Sequence, residues 1–223
     1  MSLPVNHARL LKRPFSSGEL FVDGLIHAAA LLAAIIGLAV LVMLVVLKRS
    51  GVELTATIIY GIGLIAMLGF SAAYNLVPAS DLKWLLRRFD HSSIYLMIAG
   101  TYTPLVTQLN DSFWAWTLAA IVWGGAIIGM ILKIALPGRF DKLAIIVYLA
   151  LGGVALAALQ PMRDSLPPST MTLLGIGGAF YATGVIFYLW KNLKFQNAIW
   201  HGFVVIAAGC HFAAITHAMV GVA

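Results

Sequence analysis

Between Arg87 and Pro104 the chain reads RRFDHSSIYLMIAGTYTP, which sets an acid and an imidazole, Asp90 and His91, against an apolar run with no further charge. Ionisable groups at the mouth of a membrane-length helix are costly to place and point to a site. Ser71 and Asn75 are spaced i, i+4, and so are Asn197 and His201, and Asp23 and His27. Each of these pairs shares one face of a helix. Asp90 and His91 are about 100° apart on a helix, so one faces the bundle while the other turns aside. His and Asp side chains converging from several helices are how a bundle builds a metal site. Zinc there wants three protein ligands and an open position for a water that it acidifies. Each residue also has a plainer role. Ser and Asn bond neighbouring helices inside a bundle, and a carboxylate such as Asp90, beside Arg88, is favoured at a helix N-terminus. His211 and His217 are expected to be hydrogen-bonded bundle histidines. His7 lies in a polar tail.

The elements that carry these residues follow from composition. The 223 residues are 61% hydrophobic and 10% charged, with a mean hydropathy of +0.97. A soluble domain carries about 25% charged residues, so the sequence predicts an integral membrane protein. The net charge of +6 does not point to nucleic acid, because Lys and Arg sit in short loops between apolar runs and form no patch interleaved with stacking aromatics. The single cysteine, Cys210, excludes an intrachain disulfide and a Cys-based zinc cluster, and is expected to be a buried core residue. The apolar run after the basic N-terminal stretch is too long for a secretory h-region.

Seven runs are each near the roughly 20 residues needed to cross a bilayer. They extend from about Glu19 to Leu47, Thr55 to Leu76, Asp90 to Leu109, Phe113 to Leu136, Phe140 to Leu159, Thr170 to Trp190 and Gln196 to Val222. Ser16 followed by Glu19 predicts a capping box. Gly61, Gly63 and Gly69 predict close helix contact, and Trp114, Trp116 and Trp123 an interfacial belt. The expectation is an all-α, seven-helix membrane bundle: a tail over 1–18 and one domain over 19–223. Of the 14 Lys and Arg, all but Lys48, Arg49 and Arg163 fall on one side. The positive-inside rule then puts the N-terminus in the cytoplasm and the C-terminus outside. Asp23, His27, Ser71, Asn75, Asp90, His91, Asn197 and His201 thereby share one level at the inner face.

At these residues the sequence resembles the hemolysin III family, the bacterial branch of the progestin and adipoQ receptor superfamily. The carriers are SAAYN from Ser71, DHSSIYLMIAGTYTP from Asp90 and NAIWHGFVVIAAGCHFAAI from Asn197. The resemblance implies seven helices with a cytoplasmic N-terminus, and location in the cell inner membrane. In the receptor members it implies a zinc near the cytoplasmic face, with an aspartate matching Asp90 holding the zinc-bound water. Ser71 matches the conserved serine and His201 the second histidine of the last span. Asn75 and Asn197 stand where the two other histidine ligands belong, and an amide oxygen is a poor zinc ligand. An acid–Asn–His pattern early in the first span appears here as Glu19, Asp23 and His27. Asp23, His27, Asp90, His91 and His201 thus remain available for a rebuilt metal site.

Two functions follow as expectations. One is a non-enzymatic, lipid-responsive protein of membrane homeostasis, whose inner polar cluster is a repurposed zinc site. The other is a metal-dependent hydrolase of lipid amides that uses Asp90 and Ser71, with His201 as a metal ligand. The expected partners are membrane lipids, not nucleic acid. A pore has weak support, since the runs carry no stripe of charges to line a channel.

Overall fold

A computed structural model describes residues 15–49 and 51–221. His7 and most of the predicted tail lie outside the described residues, as does Val222. The chain is all-helical there: α1 (Ser17–Lys48), α2 (Gly51–Leu76), α3 (Asp81–Val106), α4 (Ser112–Ala135), α5 (Asp141–Gly153), α6 (Leu159–Ser165), α7 (Pro168–Leu189) and α8 (Gln196–Val220). A 3-10 turn, Val154–Ala158, joins α5 to α6. Six stretches are long and apolar enough to cross a membrane: α1, α2, α4, α7, α8 and Leu143–Ser165.

The predicted capping box starts α1. Glu19 N–H donates to Ser16 Oγ, and Ser16 N–H donates to the Glu19 carboxylate. α3 begins at Asp81, nine residues before the expected Asp90, because Ser80 accepts the Lys83 N–H as an N-cap. Asp90 therefore sits about two and a half turns into the helix, and the expectation that it stabilises the helix N-terminus is withdrawn. α5 also departs from expectation. The run does not stop at Leu159 before Pro161; the 3-10 turn resets the helix, and α6 continues to Ser165. Pro161 falls in the first turn of α6, where a missing N–H is harmless.

α1 packs against α2 and α8, α2 against α3, α3 against α4, and α7 against α8. Small residues set the closest approach. A Cβ on Gly63 would meet the Leu96 carbonyl oxygen at 3.1 Å, and one on Gly100 would meet the Ile59 carbonyl oxygen at 3.3 Å. Gly61 accommodates only the Leu38 side chain, and Gly69 faces open space, so the expected contact at Gly69 does not form. Tyr60, Leu118, Val122, Ile215 and Met219 fill the core, whereas Leu32, Ile35, Ile36, Ile128 and Ile131 face outward. Trp116 is exposed, while Trp123 turns in and donates Nε1–H to Thr103. Cys210 is half-buried rather than fully buried.

Candidate functional site

The first turns of α1 and α8 are tied together before any site residue appears. Glu19 Oε1 accepts the backbone N–H of Phe195 at 2.8 Å, the residue that precedes α8 with a left-handed φ of 60°. That carboxylate satisfies an otherwise orphaned helix-end donor. It also sets the register that brings Asp23, one turn after Glu19 in α1, against His201, about one and a half turns into α8.

His201 Nδ1–H donates to Asp23 Oδ1 at 2.6 Å. His27 Nδ1–H donates to the Asp23 backbone carbonyl at 2.8 Å. With each Nδ1 as donor, each ring when neutral presents the lone pair of its Nε2. Both lone pairs converge on Ser71: His27 Nε2 lies 3.2 Å and His201 Nε2 3.5 Å from Ser71 Oγ. The two rings meet edge to face with centroids 4.5 Å apart. Ser71 has one hydroxyl proton and so can satisfy one of these acceptors at a time. Asp23 Oδ2 is buried and has no hydrogen-bond partner among the described residues. A carboxylate that orients an imidazole whose other nitrogen points into a site is a recurring outer-shell arrangement in metal centres.

Asn75 and Asn197 bond each other. Asn197 Nδ2 donates to Asn75 Oδ1 at 3.2 Å, and Asn75 Nδ2 donates back to the Ser71 carbonyl at 2.9 Å. Asp90 lies beside Ser71 on the same side of the cluster. His91, about 100° further around the helix, also stays inside the bundle. It lines the same cavity as Asp90 but reaches toward α5, with Nδ1 3.9 Å from Asp141 and its ring against Tyr74.

Asp141 is the residue that sequence reasoning missed. Its two oxygens accept from Arg87 at 2.6 Å and from Lys133 at 2.8 Å. Burial pushes its carboxyl up, but the hydrogen bond from Lys133 and the charge of Arg87 outweigh this and hold it below the ordinary carboxylate range. A lone acid at the end of the loop after Arg139 was the available signal. Lys83 was also read only as a loop charge, yet its ammonium caps the end of α2 through the carbonyls of Tyr74, Asn75 and Val77.

The cluster opens on a cavity of about 1170 Å³. Its inner end is lined by His27, Ser71, Asn75, Asp90, Asn197 and His201, and its body by side chains such as Met97, Leu174 and Val205. Leu149 of α5 and Leu156 of the 3-10 turn line it and are both exposed. His211 lines its far end, edge-on to Tyr181, and bonds the Leu174 backbone as expected, while its Nε2 has no hydrogen-bond partner among the described residues. His217 bonds Ser169 as expected.

Comparison with known proteins places this arrangement. The family described as haemolysin-III related matches residues 18–212. The chain belongs to that family. A hemolysin-3 homolog of Bacillus subtilis (strain 168) is 32% identical over 198 residues, which is 89% of this chain and 93% of that protein. Hemolysin-3 of Bacillus cereus is 33% identical over 187 residues, 84% of this chain and 85% of that protein. The human monocyte to macrophage differentiation factor is 28% identical over 195 residues, 85% of this chain and 79% of that protein. No solved structure matches the chain. As a haemolysin-III protein with six long apolar helical stretches, it is a multi-pass membrane protein.

Whether the zinc implied by the resemblance fits depends on the donors. The pair at Asn75 and Asn197 does not fit it, since the two amides bond each other. Asp23, His27 and His201 form a second group that could hold a metal ion, all three buried with ligand atoms within 4.8 Å. The chemistry of that set, two imidazoles and a carboxylate, suits a divalent transition metal.

Proposed function

We propose that the protein is a lipid-responsive membrane protein that contributes to membrane homeostasis by holding a membrane lipid in its cavity. The observation that supports this is the shape and polarity of the cavity. It is large for a ligand site, which typically measures 300–1000 Å³. It is apolar along its body and polar at one end, and the exposed Leu149 and Leu156 on its lining mark the side on which a chain would enter. Such a space takes an acyl chain through the wall and keeps its polar head at Ser71, Asn75, Asn197 and Asp90. In this reading α3 crosses as the seventh span, the N-terminus is cytoplasmic and the polar cluster lies at the inner face. Leu174→Trp and Val205→Trp would fill the cavity body. Mass spectrometry of lipid extracted from purified protein should show stoichiometric lipid in the wild type and its loss in the double variant. Equal lipid in both would sink the reading.

The convergence of His27 Nε2 and His201 Nε2 favours a second reading, a metal-dependent hydrolase of lipid amides. His27 and His201 would hold the metal, with Asp23 orienting His201, and Asp90 and Ser71 beside the reacting group. A bound zinc supplies Lewis acidity and an acidified water. Elemental analysis after metal-replete expression is decisive: no zinc or other transition metal would rule this reading out.

A further inference from the structure

The cavity is electrically lopsided. Among the described residues, Lys83, Arg87, Lys133 and Lys191 line its inner mouth, and two carboxylates, Asp90 and Asp141, line it with them. Two of the four cations are removed from water, Lys83 being 7% and Lys133 4% exposed. Asp141 is shared between Arg87 and Lys133, so one carboxylate answers two cations. Lys83 donates to backbone carbonyls and feels the Asp90 carboxylate only through space, without an ion pair among the described residues. Lys191 bonds the Tyr188 carbonyl and stands over the Tyr188 ring at 3.8 Å. The far end, at Tyr181 and His211, brings no Lys, Arg, Asp or Glu to the lining. Excess positive charge in a poorly solvated space is costly unless an anion enters it.

We propose that the inner mouth binds the anionic headgroup, phosphate or carboxylate, of the membrane lipid whose chain fills the cavity. This rests on the lipid reading above and adds the charge of the ligand to it. The four cations supply attraction from three sides of the mouth: α3 carries Lys83 and Arg87, α4 carries Lys133, and Lys191 follows α7. Asp90 opposes them and sets an upper limit on the affinity for a negative head. Anionic lipids are enriched in the cytoplasmic leaflet, the side on which the positive-inside rule places this mouth.

The test uses the full chain in neutral detergent, with phosphatidylglycerol and phosphatidylcholine of matched acyl chains as competing probes read by native mass spectrometry. We expect phosphatidylglycerol to be favoured by about tenfold at low salt, with the preference shrinking as salt rises. Lys191→Gln should cut that preference severalfold, and Asp90→Asn should raise it. The opposite signs separate charge from a structural role, because loss of fold lowers both. Equal binding of the two lipids would overturn the anionic assignment while leaving the lipid reading intact. Binding of neither would overturn both. Inorganic phosphate alone should not displace the lipid; displacement would assign the mouth to a soluble anion and overturn the lipid headgroup.

Discussion

Two polar clusters sit at the same end of this molecule, and they are built in opposite ways. The knot of Asp23, His27, Ser71 and His201 joins α1, α2 and α8, and its three titratable members are nearly sealed, at 2%, 3% and 8% exposure. The hub around Asp141 joins α3, α4 and the start of α5, and its carboxylate is 35% exposed. The knot is positioned by helix register, fixed by the Glu19 bond to Phe195. The hub hangs on the first residue of α5, which water reaches. A sealed pair suffers when one member is removed, because the other is left charged or unpaired in a dry interior. A part-wetted carboxylate is screened and loses less, although its partner Lys133 is buried. The knot therefore suits fixed geometry, and the hub suits adjustable charge at the mouth of the cavity.

That contrast can be broken experimentally. The largest effect is expected from His201→Ala, which strands the Asp23 carboxylate. It should cost about 3–5 kcal/mol, seen as a lowered midpoint of thermal unfolding in detergent. Gly63→Leu tests the packing beneath both clusters. Its side chain meets the Leu96 backbone, and a loss of about 1–3 kcal/mol is expected by the same assay. Tyr102→Phe removes a hydroxyl that donates to the Gly152 carbonyl and accepts the Ala155 N–H across the 3-10 turn. About 1 kcal/mol is expected, together with faster amide exchange at Ala155. The smallest effect belongs to the hub. Its folded-state carboxyl is held low, so its contribution is present above the ordinary carboxylate range and is lost as pH falls through the depressed value. Asp141→Asn should remove that contribution at pH 7, a loss well below that of His201→Ala because the carboxylate is 35% exposed, and flatten the acid limb of a pH–stability curve. If Asp141→Asn costs as much as His201→Ala, the contrast between the two clusters is wrong.

The helices and their membrane character were legible because hydropathy is a local property, and the ends of α1, α4, α7 and α8 follow directly from it. The start of α3 was not. LKWLLRRF carries charges that mask a helix, although Ser80 followed by Asp81 was a usable cap signal. The i, i+4 pairs at Ser71–Asn75 and Asp23–His27 were legible for the same local reason. What each would touch was not, because Asp23 meets His201 only through a register set across 178 positions of chain. The mutual bonding of Asn75 and Asn197 could be suspected from their residue types, but its geometry needed the packed bundle. Asp141 escaped notice because a single acid in a basic loop has no spacing pattern to announce it.

The central claim is that the cavity behind the knot holds a lipid. A structure of the full chain in a lipid nanodisc tests it most directly. The account predicts elongated density running from the level of Asn197 and Ser71 past Leu174 and Val205 toward Tyr181, entering beside α5. A cavity filled only by ordered water would contradict it.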